Sequence, residues 1–227
     1  MCGIAGYIST NQGSPKQSVL KRMTDAIAYR GPDDDGQEVI GPCGLGSRRL
    51  AVLDLSQNGH MPMFSYDKQF CIVFNGEIYN FQRLRHDLQK KGYQFFSETD
   101  TEVILNLYRE YGNRCVTKLR GMFAFAIWDV EERELFIARD RFGVKPLYYW
   151  LGPSGFVFAS ELKAIMVHPD FHKEINPMAI SHYFSLGLGC VASPVSIFKG
   201  VCKLKPGEWG LFRDGKLSIQ SYWNLAK

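Results

Sequence analysis

Short apolar runs of strand length alternate with polar, turn-rich segments through most of the chain. The strand-like runs are residues 3–8, 44–53, 70–74, 122–128, 134–138, 147–150 and 156–159. The connections between the later runs are short, which predicts antiparallel pairing because parallel neighbours need a long crossover. The pattern therefore favours sheets built largely from strands that follow one another along the chain.

Fewer segments keep an apolar face at helical spacing. The apolar faces are Val19, Met23 and Ile27 in the first, Phe81, Leu84 and Leu88 in the second, and Ile104, Leu107, Tyr108 and Tyr111 in the third. Asn80 is placed to cap the second helix, and Thr99 with Glu102 resembles a capping box at the start of the third. Residues 161–167 and 177–186 are also predicted to be helical.

The end of the chain has the pattern of a β-hairpin. Residues 207–222 alternate around Asp214-Gly215, a dipeptide typical of tight hairpin turns. Strands outnumber helices, and the helices come in consecutive groups, which indicates an α+β domain with antiparallel sheets. We predict one domain over residues 1–223, with 224–227 as the start of a linker.

Composition excludes several classes of protein. Of 227 residues, 45% are hydrophobic and 22% charged, which is ordinary globular usage. The net charge of +4 is spread along the chain, so no nucleic-acid interface is predicted. No apolar run approaches the ~18 residues of a membrane span, and the N-terminus lacks the pattern of a secretory signal. The six cysteines and five histidines form no zinc-binding pattern, which favours free thiols in the reducing cytoplasm.

Cys2 has a chemical interpretation beyond that of a buried thiol. A small residue after the initiator usually permits removal of Met1, which leaves Cys2 with a thiol and a free α-amine. An α-amine titrates near pH ~7.7–8.0, so it can serve as the base for its own side chain. Cysteine is also a common apolar strand residue. Position alone favours that second interpretation.

Asn75-Gly76 follows the apolar run 70–74 and also has two interpretations. Asn-Gly is typical of a two-residue hairpin turn, yet a helix follows here instead of a second alternating strand. The alternative is an oxyanion hole, in which the Asn75 amide and the Gly76 N–H donate to one developing negative charge. Both interpretations stay open from these residues alone.

Two of three further charged features have both an ordinary and a functional interpretation. Arg48 and Arg49 could form surface ion pairs, although the planar fork of an arginine also suits a substrate carboxylate. Asp100 complements the dipole of the third helix, or it could face a substrate ammonium. We interpret the charged turn at residues 139–146 as an ion-pair network.

The order of the motifs is more specific than any one of them. They are Met1-Cys2-Gly3-Ile4-Ala5-Gly6, Arg30-Gly31-Pro32-Asp33, Arg49-Leu50, Phe74-Asn75-Gly76-Glu77-Ile78-Tyr79-Asn80, Ser97-Glu98-Thr99-Asp100-Thr101-Glu102 and Ala138-Arg139-Asp140-Arg141-Phe142-Gly143. Together they resemble the class II glutamine amidotransferase domain, specifically that of glutamine-dependent asparagine synthetases. The resemblance implies the N-terminal nucleophile hydrolase fold, a four-layer αββα sandwich of antiparallel sheets.

The resemblance also implies a role for each candidate residue. Cys2 would be the nucleophile, and Asn75 with Gly76 the oxyanion hole. Arg49 would hold the glutamine α-carboxylate and Asp100 its α-ammonium. The rest of the pocket lining would be Leu50, Val52, Leu53 and Glu77. No metal or cofactor is expected in this domain.

The implied reaction is hydrolysis of glutamine to glutamate and ammonia. The ammonia would supply an ATP-dependent synthetase domain, in the same protein or in a partner chain. ATP and Mg²⁺ are expected only there, because the Ser-Gly-Gly-x-Asp-Ser loop that activates aspartate does not occur in these 227 residues. Four alternatives stay open: a different amide-forming synthetase, hydrolysis of another amide, a homodimer, and a non-catalytic domain if Met1 is retained.

Overall fold

A computed structural model describes residues 1–10, 15–185 and 190–225. The strands are β1 (Gly3–Ser9), β2 (Asp34–Ile40), β3 (Cys43–Arg49), β4 (Met63–Phe64), β5 (Phe70–Ile78), β6 (Gly121–Asp129), β7 (Glu134–Arg139), β8 (Tyr148–Gly152), β9 (Gly155–Ala159), β10 (Val201–Lys203), β11 (Glu208–Arg213) and β12 (Lys216–Ser221). The α-helices are α1 (Gln17–Asp25), α2 (Phe81–Gln89), α3 (Asp100–Tyr111), α4 (Cys115–Lys118), α5 (Leu162–Met166) and α6 (Pro177–Ser185).

The strands form two six-stranded sheets with antiparallel pairing throughout. The first sheet has the order β10-β8-β9-β1-β3-β2, and the second has the order β12-β11-β7-β6-β5-β4. β1 is therefore a central strand, held by β9 on one side and β3 on the other. Cys2 comes immediately before it, at an anchored end of the first sheet.

Alternation along the strands creates three buried apolar layers. Side chains such as Ile4, Val73 and Ala124 fill the space between the two sheets. The outer face of the second sheet packs against α2, α3 and α4, and that of the first packs against α1 and α5. The layers thus run helix, sheet, sheet, helix, and the prediction of an αββα sandwich is confirmed.

The hairpin interpretation of Asn75-Gly76 is wrong. β5 continues through both residues to Ile78, and they pair with Ala124 and Phe123 of β6. Instead of forming a turn, the two residues lie within the longest strand pairing of the second sheet. The hairpin predicted at the end of the chain is confirmed, since β11 and β12 are joined through Asp214-Gly215.

Other local predictions were partly right. Asn80 precedes α2, but its side chain bridges to the Lys118 carbonyl and the Arg120 N–H instead of capping the helix. α6 confirms the helix predicted over 177–186 as far as Ser185, and residue 186 lies outside the described residues. In the part of the chain that is described, no helix is long and apolar enough to cross a bilayer.

Candidate active site

One cavity brings together most of the candidate residues. It lies where the start of β1, the segment after β3, the end of β5 and the start of α3 meet. Eight predicted residues line it: Cys2, Arg49, Leu50, Val52, Leu53, Gly76, Glu77 and Asp100. Four others were not predicted: Met61, Phe74, Thr99 and Thr101. Asn75 is not among the lining residues and is buried in β5 beside Gly76.

The Cys2 thiol is held against the backbone that follows β3. The Leu50 N–H donates to Cys2 Sγ at 3.4 Å, and Sγ lies 3.7 Å from the Leu50 carbonyl oxygen. Burial raises the pKa of this thiol, although the Leu50 contact opposes the shift. The thiol is therefore protonated at neutral pH and needs a base before it can attack.

The residue before Cys2 decides whether such a base exists. Met1 is 60% exposed and contributes nothing to the apolar core. While Met1 is attached, the Cys2 nitrogen is an amide and cannot accept a proton. Removal of Met1 would turn that nitrogen into an amine within the same residue as the thiol.

Arg30 anchors the other end of Cys2 and was not predicted to do so. Its Nε donates to the Cys2 carbonyl at 2.9 Å, and its Nη1 pairs with Glu161 at 2.6 Å. Arg30 is buried, and its Nη2 has no partner among the described residues. The guanidinium thus restrains Cys2 through its backbone carbonyl. The Arg-Gly-Pro-Asp motif was the available signal for a role of Arg30, but its composition is that of an ordinary turn.

The strand register leaves the Gly76 N–H facing the cavity. The backbone N–H of Phe123 donates to Asp140, and its carbonyl accepts from the Asp140 N–H. Both groups of Phe123 thus point away from β5, which makes Gly76–Phe123 a non-hydrogen-bonded pair. The Gly76 N–H then points to the open edge of β5, as does the Ile78 N–H that donates to Asp100 at 2.8 Å.

A larger residue could not replace Gly76. A Cβ atom built there would lie 2.3 Å from the Met122 carbonyl oxygen and 2.8 Å from the Phe123 Cα. Both obstacles are backbone atoms, which cannot rotate away as the end of a side chain could. Glycine is therefore needed at this position because β5 and β6 approach closely there.

Asn75 places an unsatisfied amide beside that N–H. Side chains along β5 point alternately to the two faces of the sheet, and the side chain of Asn75 points to the same face as that of Val73. That face packs against the first sheet, where Ile4 of β1 also lies. The residue is 1% exposed, and neither Oδ1 nor Nδ2 has a hydrogen-bond partner among the described residues. A buried amide without a hydrogen-bond partner is destabilising by ~1–3 kcal/mol, so Asn75 has donor and acceptor capacity that the described protein groups do not use.

Arg48 and Arg49 are neighbours in β3 with different environments. Arg48 is partly buried and pairs with the exposed carboxylates of Asp25 and Asp35, which agrees with the ion-pair interpretation. Arg49 is buried, and its Nη2 donates to the carbonyl oxygens of Leu53 at 2.9 Å and Asp54 at 2.6 Å. These bonds orient the guanidinium at the cavity wall, and Nε and Nη1 have no partner in the hydrogen bonds of the described residues.

Asp100 and Glu77 supply the opposite charge. Burial raises the pKa of Asp100 to about 7, and it also raises the pKa of Glu77. The hydrogen bond from the Ile78 N–H opposes the shift at Asp100, while the neighbouring Glu77 adds to it. The carboxylate is thus held in a setting where it gains from a cationic partner.

The start of α3 is braced from within. The Thr99 hydroxyl accepts from the Glu102 N–H at 3.2 Å, as the capping-box prediction required. The Glu102 carboxylate does not return to Thr99; it accepts from the backbone N–H groups of Phe96 and Ser97. The segment that leads into Asp100 is therefore tied to the first turn of the helix.

The charged turn at 139–146 is not the ion-pair network that we predicted. Arg139 donates to three backbone carbonyls, and Asp140 accepts from backbone N–H groups of Phe123 and of the turn itself. The side chains satisfy backbone groups that the turn would otherwise leave unpaired. Lys145 lies near the end of this turn and is buried. Burial lowers the pKa of its ammonium group, and the nearby positive charge of Arg30 lowers it further.

Comparison with known proteins identifies the family of this chain. The chain belongs to the glutamine amidotransferase domain family, whose model matches residues 1–223. Among curated proteins it is 41% identical over 229 residues to "Asparagine synthetase [glutamine-hydrolyzing] 3" of Bacillus subtilis, covering 99% of this chain and 37% of the relative. It is 40% identical to a putative asparagine synthetase 2 of Methanocaldococcus jannaschii, covering 99% of this chain and 47% of the relative. The chain thus corresponds to the glutaminase portion and spans less than half of these relatives.

A solved structure supports the fold. The glutamine phosphoribosylpyrophosphate amidotransferase of B. subtilis superposes with a TM-score of 0.72, covering 98% of this chain and 49% of that chain. Sequence identity is 19%, so this likeness shows a shared architecture. The similarity to asparagine synthetases rests on the curated relatives.

Proposed function

We propose that this domain hydrolyses glutamine to glutamate and ammonia through a thioester on Cys2. The observation that carries the proposal is the composition of the single cavity around that thiol. The cavity holds a cation at Arg49, a carboxylate at Asp100 and the inward-facing N–H of Gly76. Opposite charges at the wall suit the ammonium and carboxylate of a free amino acid, and the N–H donor suits its side-chain amide.

The reaction begins once Met1 has been removed. The α-amine of Cys2 takes the thiol proton, and the thiolate attacks the side-chain amide carbon of glutamine. The Asn75 amide and the Gly76 N–H donate to the oxygen that becomes negative. The ammonium of Cys2 then protonates the leaving nitrogen, ammonia departs, and a glutamyl thioester remains. Water attacks the thioester, with the same amine as base, and glutamate is released.

We further propose that the ammonia is used by an ATP-dependent asparagine synthetase domain, in the same protein or in a partner chain. The names of the curated relatives and their greater length support this assignment. ATP and Mg²⁺ would act in that second domain, and the glutaminase steps use protein groups only. The six cysteines are all free, which suits the reducing cytoplasm.

One product assay distinguishes glutamine hydrolysis from two other functions, hydrolysis of other amides and a non-catalytic role. Hydrolysis of acylated amides would not need Arg49 and Asp100 together, and a non-catalytic domain would release nothing. Glutamate and ammonia should be measured with glutamine and with a panel of N-acylated amides, using protein whose N-terminus is Cys2. We expect equal amounts of both products from glutamine and none from the panel. Turnover of the panel at comparable rates would refute the proposal.

Replacement of Arg49 by lysine is expected to raise KM for glutamine by roughly ten- to hundredfold. Lysine keeps the charge but loses the planar fork, so it cannot bind the two carbonyls and a carboxylate together. Arg48→Lys is the matched control, because Arg48 lies next in the same strand and pairs with surface carboxylates. Steady-state kinetics of both variants test this, and equal KM values would contradict the role of Arg49.

Glutamine affinity is expected to fall as the pH drops below the pKa of Asp100, about 7. Only the ionised carboxylate attracts the substrate ammonium, so protonation weakens binding by roughly tenfold for each pH unit below that value. Calorimetric titration of the Cys2→Ala variant separates binding from turnover. The double variant Cys2→Ala/Asp100→Asn should bind glutamine weakly, and its affinity should depend little on pH. If affinity fell with pH equally steeply in the single and double variants, a group other than Asp100 would be titrating.

A further inference from the structure

Asp54 lies one residue beyond the cavity wall in an unusual backbone conformation. Its φ is 53°, in the left-handed region that residues other than glycine rarely adopt. Such a conformation persists where surrounding contacts hold it in place, often near a functional site. The contacts of Asp54 connect the two sides of the glutamine pocket.

The backbone of Asp54 supports the cationic side of the pocket. Its carbonyl accepts from Arg49 Nη2 at 2.6 Å, next to the Leu53 carbonyl at 2.9 Å. Gly59 closes the other side of this contact, since a Cβ atom there would lie 2.1 Å from Arg49 Nη2. The left-handed turn at Asp54 thus aims its carbonyl at the guanidinium.

The side chain of Asp54 supports the anionic side. Its Oδ2 accepts from the Glu98 N–H at 2.8 Å, and Glu98 is two residues before Asp100. Its Oδ1 accepts from the N–H of Ser56 at 3.0 Å, which fixes the orientation of the carboxylate. Hydrogen bonds from Ser56 and Glu98 lower the pKa of Asp54, so it stays ionised at neutral pH.

We propose that Asp54 is a positioning residue that sets the separation between Arg49 and Asp100 and thereby the affinity for the amino-acid end of the substrate. Its carbonyl holds the residue that binds the carboxylate, and its side chain holds the segment that carries the residue for the ammonium. The inference rests on the proposed function for these two roles. Asp54 itself does not touch the substrate.

Three substitutions separate the contact from the backbone conformation. Asp54→Gly removes the carboxylate and tolerates the positive φ. Asp54→Asn keeps one acceptor and also tolerates this conformation. Asp214→Gly is the matched control, because Asp214 has a φ of 50° in the β11–β12 turn. We expect Asp54→Gly to raise KM for glutamine about tenfold with kcat within about threefold of wild type. Asp54→Asn should recover part of this loss, and Asp214→Gly should match wild type.

Alkylation of Cys2 gives a readout that a general loss of structure would not reproduce. Iodoacetamide requires only the thiol, whereas 6-diazo-5-oxo-norleucine also carries the α-ammonium and α-carboxylate groups. We expect Asp54→Gly to slow the second reagent by about tenfold and to leave the first unchanged. An unchanged KM, or equal slowing of both reagents, would overturn the proposal. If wild type releases no glutamate, the proposed function fails, while selective slowing of the amino-acid reagent would still support the role of Asp54.

Discussion

Replacement of Cys2 by alanine is expected to lower glutamate release by roughly 10⁴-fold or more, to the background of the assay. In the proposed mechanism the thiol provides the atom that becomes bonded to the substrate, and the other lining residues offer at most the less nucleophilic hydroxyls of Thr99 and Thr101. Cys2→Ser should also lose most of the activity, because a hydroxyl is a weaker acid than a thiol and the pocket is shaped around the larger sulfur atom. Glutamine binding should persist in both variants, since Arg49 and Asp100 remain.

A second cysteine substitution serves as the control. Cys190 is exposed and does not line the cavity, so Cys190→Ala should keep wild-type turnover. Rates should be measured by coupled glutamate detection, with Tm recorded for each variant. Activity that survives in Cys2→Ala, with Tm unchanged, would contradict the assignment of the nucleophile.

Replacement of Asn75 by alanine is expected to lower kcat by ~10²–10³-fold while KM changes much less. The amide is proposed to donate to an oxygen that carries negative charge only after attack, so it contributes more to the transition state than to binding. Asn75→Asp should be no better, because a carboxylate in place of the donor repels the developing charge. An unchanged kcat in Asn75→Ala would exclude the oxyanion role.

Stability gives an independent check on the same variant. Neither polar atom of the Asn75 side chain has a partner among the described residues, so its removal breaks no hydrogen bond between those residues. The loss of Tm should therefore be smaller than for Asn80→Ala, whose side chain bridges Lys118 and Arg120. A large loss of activity with a small loss of stability would indicate a group retained for function.

The sheets could be predicted because most of the relevant information is local. Alternation places Ile4 and Ala5 on opposite faces of β1, and short connections predict antiparallel neighbours. Asn75-Gly76 shows where local rules fail. The dipeptide has strong turn propensity, but pairing with Ala124 and Phe123 of a strand more than forty residues later keeps both within β5. Tertiary pairing overrides the local preference.

The site was predicted unevenly for a similar reason. Cys2, Arg49 and Asp100 fall in motifs whose order points to one chemistry. Arg30 and Asp54 act through backbone atoms of residues distant in sequence, Cys2 in one case and Glu98 in the other. Such contacts have no periodicity of their own: Arg30 lies in a motif with the composition of a turn, and its partner becomes visible only in the folded structure.

The most direct test compares the same protein with a residue still joined to the Cys2 nitrogen and with Cys2 as the first residue. An N-terminal extension with a protease site can be left intact or cleaved to expose Cys2, and intact mass identifies each form. We predict that glutamate and ammonia are released in equal amounts by the cleaved form and at background level by the uncleaved form. The reason is that only the cleaved form has an amine next to the thiol. Equal rates from both forms would contradict the account.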